Sequence, residues 1–252
     1  IKSEEEYDYF VKEKCDDVLL SIDYNIVLNK LSELKKNTEK KIILKVKDMF
    51  KCSPDIILNI SEYVRLYGIE IDWSNTKGSR IRHFYSVKEY IFFWEKLQEF
   101  AEIVNGSKSE YSKFKRAYHF IGKNIQYDFD DDGEPSRSNE SHSLRGGILN
   151  GKAVCEGFSE ILSQLLNMLN IENKCVIGVD KHSTNKAMHV WNQVKINGFW
   201  YNCDITNDSV NIHEGRQVEM CLLNDDEFFL YEIISGNGEK CNKSWDDTEM
   251  ER

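Results

Sequence analysis

The chain has 252 residues, 40% of them hydrophobic and 12% aromatic, which is enough to bury a core and excludes the disordered and low-complexity classes. Its 33 basic and 43 acidic residues leave a formal charge of -10, which argues against a duplex-binding surface and so against a nucleic-acid partner. The seven cysteines are odd in number and include no CxxC or Cys/His pair at zinc-ligand spacing, so no metal and no cofactor is expected, and a reducing compartment is.

No uncharged apolar run approaches the roughly 18 residues of a membrane span. The opening Ile1-Lys2-Ser3-Glu4-Glu5-Glu6 has neither the n-region nor the h-region of a signal peptide. A cytoplasmic location is therefore favoured, with the true N-terminus left open.

Residues 1–105 read as an all-helical region of unknown role. Ser53-Pro54 ahead of Ile56, Ile57, Ile60 and Val64, closed by Gly68, has an N-cap, a Pro at the first helical position and a C-terminal Gly. Ser86 and Glu89 form a capping box before Ile91, Phe92, Trp94, Leu97 and Phe100. Such stripes are most simply core faces.

Residues 106–252 mix two periods and form a second domain. Ser107 and Glu110 make another capping box, opening a helix that turns Phe114, Ala117, Tyr118 and Ile121 inward. An acidic, Gly- and Ser-rich loop follows over 128–147. Its Asp128, Asp130, Asp132 and Gly133 mimic the start of a calcium loop, but the twelfth position is Asn139, so a solvated acidic loop is the reading. A helix runs from Val154 to Asn170, and strand-like runs cover 174–180, 188–196 and 199–205. Helix followed by antiparallel strands is an α+β pattern. The net charge is -2 over residues 1–105 and -8 over 106–252, so the acidic balance belongs to the second part.

Asn197-Gly198 between two alternating runs signals a hairpin with a two-residue type I′ turn. Opposed residues then sum to 395, so Ile196 faces Phe199, Trp191 faces Asp204 and His189 faces Thr206. One face, Val190, Asn192, Val194 and Ile196 with Phe199, Tyr201, Cys203 and Ile205, is the expected core face. His189 and Asp204 lie on the other as diagonal neighbours, about 7–8 Å apart at the backbone. On pattern alone the two are equally a tautomer-fixing pair and a surface coincidence.

Gly151-Lys152-Ala153-Val154-Cys155-Glu156-Gly157-Phe158 crosses from a Gly-rich loop into an apolar helix, with Cys155 in the first turn. The helix dipole and free N–H groups there favour thiolate and lower a thiol pKa, and the same N–H groups can bind an oxyanion. Taken alone, Cys155 is also explained as a small packed residue. Cys175, Cys203 and Cys221 fall in apolar runs and read as small hydrophobes.

The order Cys155, His189, Asp204 supplies a nucleophile, a base and an orienter. With it, the chain resembles the transglutaminase-like superfamily of papain-like cysteine enzymes, bacterial members in particular. The resemblance is carried by Leu149-Asn150-Gly151-Lys152-Ala153-Val154-Cys155-Glu156-Gly157, by His189-Val190-Trp191-Asn192, and by Gly198-Phe199-Trp200-Tyr201-Asn202-Cys203-Asp204. Asn124-Ile125-Gln126-Tyr127-Asp128 and Cys221-Leu222-Leu223-Asn224-Asp225-Asp226-Glu227-Phe228 add to it. It covers about residues 107–230, and residues 1–105 match no recognised family.

The resemblance implies a papain-like core, a helix bearing the cysteine packed on an antiparallel sheet. It implies Cys155 as nucleophile, His189 as general base and acid, and Asp204 as orienter of His189. The Cys155 backbone N–H and, by position, Tyr127 become the oxyanion candidates. Trp191 and Trp200 become cleft candidates. Two departures stand out. The family often places Trp after the Asp-x-Thr of the last strand, where this chain has Asn207. Glu156-Gly157 replaces the Trp-containing continuation of animal crosslinking enzymes. The expected function is thiol-dependent acyl transfer on a peptide or protein amide, hydrolysis favoured over amine crosslinking. The alternative is a non-catalytic binding or scaffolding module of the same fold.

Overall fold

Three short runs early in the chain form a parallel sheet. They are β1 (Asp17–Leu20), β2 (Ile43–Val46) and β3 (Glu70–Asp72), in the order β1-β2-β3. The structure, a computed structural model, describes residues 17–20, 43–46, 70–72, 87–106, 109–182, 187–234 and 238–246. It divides into two units, Ile1–Trp94 and Glu95–Arg252. The three strands correct the all-helical expectation for residues 1–105. A run as short as Ile43-Leu44-Lys45-Val46 is too brief for its period to separate a strand from a buried helical turn. The helix read over 53–68 lies outside the described residues.

Helix α1 (Val87–Val104) covers the stripe read after Ser86 and Glu89. Phe93, Leu97 and Val104 are its buried residues, at the i, i+4, i+11 positions of one face, while Phe92 is turned outward. Helix α2 (Glu110–Asn124) is capped by Ser109, whose hydroxyl accepts from Ser112 N at 3.2 Å. It buries Tyr111, Phe114, Ala117, Tyr118 and Ile121. Strand β4 (Gln126–Tyr127) then pairs in parallel with β5 (Lys152–Ala153). The acidic loop between them closes on itself: Asp130 and Asp132 pair with Arg137, and Asp128 accepts from the Ser141 hydroxyl. It ends in a π-helical turn, Gly146–Asn150.

Helix α3 (Cys155–Met168) leads into an antiparallel sheet of order β8-β7-β6-β9. The strands are β6 (Asn173–Asp180), β7 (Met188–Ile196), β8 (Phe199–Cys203) and β9 (Tyr231–Ile233). Asn197 at φ 51° and Gly198 at φ 84° give the two left-handed residues that a type I′ turn demands. The ladder runs from Ile196↔Phe199 to Asn192↔Cys203, the register that this turn dictates.

Both faces of the hairpin are covered, not one. On the first, α3 packs against β7; the Ser159 hydroxyl donates to Val190 O at 3.0 Å and Asn192 Nδ2 donates to Ser159 O at 3.0 Å. On the second, the segment after α4 (Ile205–His213) folds back. Gln193 Nε2 donates to Glu239 O at 3.0 Å, Asn202 N donates to Leu223 O at 2.8 Å, and the Trp191 ring lies 5.2 Å from that of Phe228. Polar Gln193 and Asn202 are thus buried with their hydrogen bonds made. Among the described residues no helix is long and apolar enough to cross a membrane.

Candidate active site

The site forms where three chain segments meet: the first turn of α3, the start of β7, and the junction between β8 and α4. Cys155 is the first residue of α3 and is half-buried. Val154 before it has extended backbone and no side-chain cap on the helix, so no side chain of the capping residue occupies the first-turn N–H groups.

Asp204 departs from its expected position as a strand residue. Strand β8 stops at Cys203, and Asp204 is the N-cap of α4, its Oδ1 accepting from Thr206 N at 3.1 Å and Asn207 N at 3.3 Å. An aspartate at the end of a strand with two following N–H groups to satisfy starts a helix instead of extending the ladder. The cap locks the carboxylate, fully buried, with Oδ2 directed at His189 Nε2, 2.7 Å away. The side chain of His189 is 13% exposed. Nε2 is taken by Asp204, which leaves Nδ1 as the ring nitrogen for the thiol.

The electrostatics follow from this geometry. Burial pulls the His189 pKa down, but the charge and hydrogen bond of Asp204, with a hydrogen bond and charge contribution from Cys155, outweigh it and raise the value to about 10. His189, Asp204 and Cys155 are therefore one cluster. Tyr127 borders it. Burial, then the nearby Cys155, Asp204 and Tyr231, push its phenol up to about 12, so it stays a protonated donor. Its ring packs 4.8 Å from Phe129, and its strand pairs with Ala153, two residues before Cys155.

The two tryptophans do not line this cleft. Trp191 is 1% exposed, donates from Nε1 to Asn202 Oδ1 at 3.1 Å, and lies beneath His189 with ring centroids 6.4 Å apart. It is a floor, because the returning chain covers the face that the hairpin pattern left open. Trp200 pairs with Lys195 at the turn end of the hairpin, six residues along β7 from His189 and so about 20 Å away. The ammonium groups of Lys174 and Lys195 lie over its ring at 5.3 and 5.8 Å.

Several neighbours escaped the sequence. Tyr231 stacks on His189 at 4.5 Å, and Asn207 Nδ2 lies within donating distance of Asp204 Oδ2, at 2.7 Å, and of the Tyr231 hydroxyl, at 2.9 Å. Glu156, next to Cys155, holds His142 Nδ1 at 2.7 Å while His142 Nε2 meets Ser136 O at 3.0 Å; the Glu156 bond raises the His142 pKa. This pair ties the acidic loop to the first turn of α3. Asp208 is buried in α4; it accepts from Tyr118 Oη at 2.8 Å and from the N–H groups of Glu219 and Met220, and Met220 O in turn accepts from Asp204 N at 2.7 Å. Asn207 could have been read once Asp204 was taken as a cap. Tyr231 carries no local signal, since only the sheet brings it back. Among the described residues no three His, Cys, Asp or Glu side chains converge as a metal site.

The arrangement can serve thiol acyl chemistry: a sulfur in the first turn of a helix, a buried ring that can exchange its proton, and a fixed carboxylate behind the ring. No curated protein matches the chain. Among solved structures, a TGase is similar at TM-score 0.41 and 19% identity, covering 48% of this chain and 34% of its own. A candidate cysteine protease from Cytophaga hutchinsonii is similar at TM-score 0.39 and 18% identity, covering 62% of this chain and 55% of its own. The chain thus spans about a third and about half of these two structures. Residues 98–205 match the family described as the transglutaminase-like superfamily.

Proposed function

We propose that the protein is a thiol-dependent enzyme acting on an amide of a peptide or protein, with Cys155 as nucleophile, His189 as general base and acid, and Asp204 as the group that orients His189. The observation that carries the reading is the buried 2.7 Å contact between His189 Nε2 and Asp204 Oδ2, with Cys155 contributing to the same ring.

Nδ1 of His189 takes the Cys155 proton, and Sγ forms a bond to the amide carbonyl carbon. The oxyanion meets the N–H groups at the start of α3, with the Tyr127 hydroxyl as a second donor. As the C–N bond breaks, protonated His189 gives its proton to the leaving amine, and a thioester remains on Cys155. Water, deprotonated by His189, then attacks the thioester, releasing the acid and restoring the thiol. A second amine in place of water gives a new amide. Hydrolysis is the favoured outcome, because the residue after Cys155 is Glu156, committed to His142, and not the Trp-containing continuation of the crosslinking enzymes.

A peptide-amide library incubated in 18O-labelled water, with and without a primary amine, tests this. The expected result is one 18O atom per cleaved carboxyl and an acyl adduct trapped on Cys155. Amine adducts without labelled acid would reverse the preference for water. No turnover by wild type, with partners retained equally by wild type and Cys155→Ala, would point to a binding module.

A further inference from the structure

The tyrosine that β9 delivers to the catalytic histidine is not explained by the three triad roles. We propose that Asn207 and Tyr231 are positioning residues for the thiol chemistry: the Tyr231 ring stacks on one face of the His189 imidazole, and the Asn207 amide links the Tyr231 hydroxyl to Asp204. The inference rests on the thiol-dependent reading above and adds two residues to it.

The geometry is continuous. The rings of His189 and Tyr231 lie 4.5 Å apart and within 19° of parallel. Trp191 stacks with the same tyrosine at 5.5 Å and 24°, and with the histidine at 6.4 Å and 16°. The three rings share a face of the sheet, since Tyr231 pairs with Asp180 and His189 with Gly178, two residues along β6. Gly178 makes the stack possible. A Cβ there would sit 2.6 Å from Trp191 Cη2 and 2.5 Å from Glu232 O, so any side chain would displace either the floor or the strand that carries Tyr231.

Asn207 completes the link. Its Nδ2 lies 2.7 Å from Asp204 Oδ2 and 2.9 Å from the Tyr231 hydroxyl, so one amide group fastens ring to carboxylate. Asn207 occupies the position at which this chain departs from the Trp of the family pattern. Here an exposed amide on α4 and a tyrosine from a distant strand cover the His–Asp contact. A covered contact is screened less by water, so the attraction between Asp204 and His189 is stronger. The charged and titratable groups facing His189 are Asp204 from the cap of α4, Cys155 from α3 and Tyr231 from β9; Tyr127 and Asp180 lie beyond, facing Tyr231.

The test is carried out on the full chain. The His189 ring is titrated by 15N NMR, and Cys155 alkylation by iodoacetamide is followed against pH, in wild type, N207A, Y231L and Y231F. Opening the ring to water shrinks both the burial penalty and the Asp204 attraction, so the midpoint should fall toward 6.5, by about one pH unit or more in Y231L and N207A. Alkylation at neutral pH should fall about tenfold in both, and only about threefold in Y231F, which keeps the ring. Asn207 is exposed, so N207A leaves the core untouched and remains decisive if Y231L does not fold. Wild-type midpoint and alkylation in folded N207A and Y231L would overturn the proposal. If instead His189→Ala leaves Cys155 alkylation unchanged, the thiol-dependent reading fails, and the NMR midpoints still decide the capping role separately.

Discussion

At the scale of single residues, the decisive one is Asp204. It is held in place twice, by the N–H groups it caps and by Asn207, so its free direction is toward His189. Replacing it with Asn keeps a capping oxygen and removes the charge. Asp204→Asn should therefore lower the His189 titration toward 6.5 and slow Cys155 alkylation by at least about tenfold at neutral pH, read by NMR and mass spectrometry. The same pair makes a stability prediction. The His189 pKa is raised by folding, from 6.5 to about 10. Its contribution is thus complete below pH 6.5 and is lost as pH rises through about 10. Urea unfolding across that window should show wild type losing stability relative to His189→Gln, and a pH-independent difference between the two would contradict the assignment.

At the scale of elements, the hairpin and the capping helices explain what was legible in the sequence. Asn197-Gly198 sets the turn type, and the turn type sets the register, so the pairing of β7 with β8 follows from two residues. Cys155 at a helix start follows from the Gly-rich approach and the apolar run after it. The hairpin pattern puts Asp204 near His189 for an incomplete reason: the cap of α4, not a strand position, aims it. The burial of Trp191 and the remoteness of Trp200 were not legible, because they depend on a return segment far along the chain. Tyr231 was hidden for the same reason. The N-terminal strands were hidden because three- and four-residue runs carry no usable period. Two substitutions separate these elements by function. Ser109→Ala removes the cap of α2 and should cost about 1 kcal/mol of stability with unchanged Cys155 alkylation. Gly178→Ala forces Trp191 or Glu232 to move and should lower alkylation as well as stability. Thermal melts with alkylation rates distinguish the two.

At the scale of the whole molecule, the acidic balance lies mostly in the part that carries the site, and among the described cysteines Cys155 is the one that opens a helix. Cys203 and Cys241 are buried, and burial raises the Cys203, Cys221 and Cys241 thiols. We propose residues 106–252 as the catalytic domain, with α1 supplying part of its packing: Phe100 of α1 lies 5.0 Å from Phe120 of α2. A fragment starting at residue 95 should then melt cooperatively and at higher temperature than one starting at 106; equal melting would show that the end of α1 is dispensable. The central claim is that Cys155 is a nucleophile served by His189. Its most direct measurement is site-resolved iodoacetamide labelling of all seven cysteines at pH 6, in wild type and His189→Ala. Labelling is expected to be fast at Cys155 alone and to drop to the rate of an ordinary thiol when His189 is replaced. Labelling of Cys155 no faster than of an ordinary exposed thiol, or unchanged by that replacement, would contradict it.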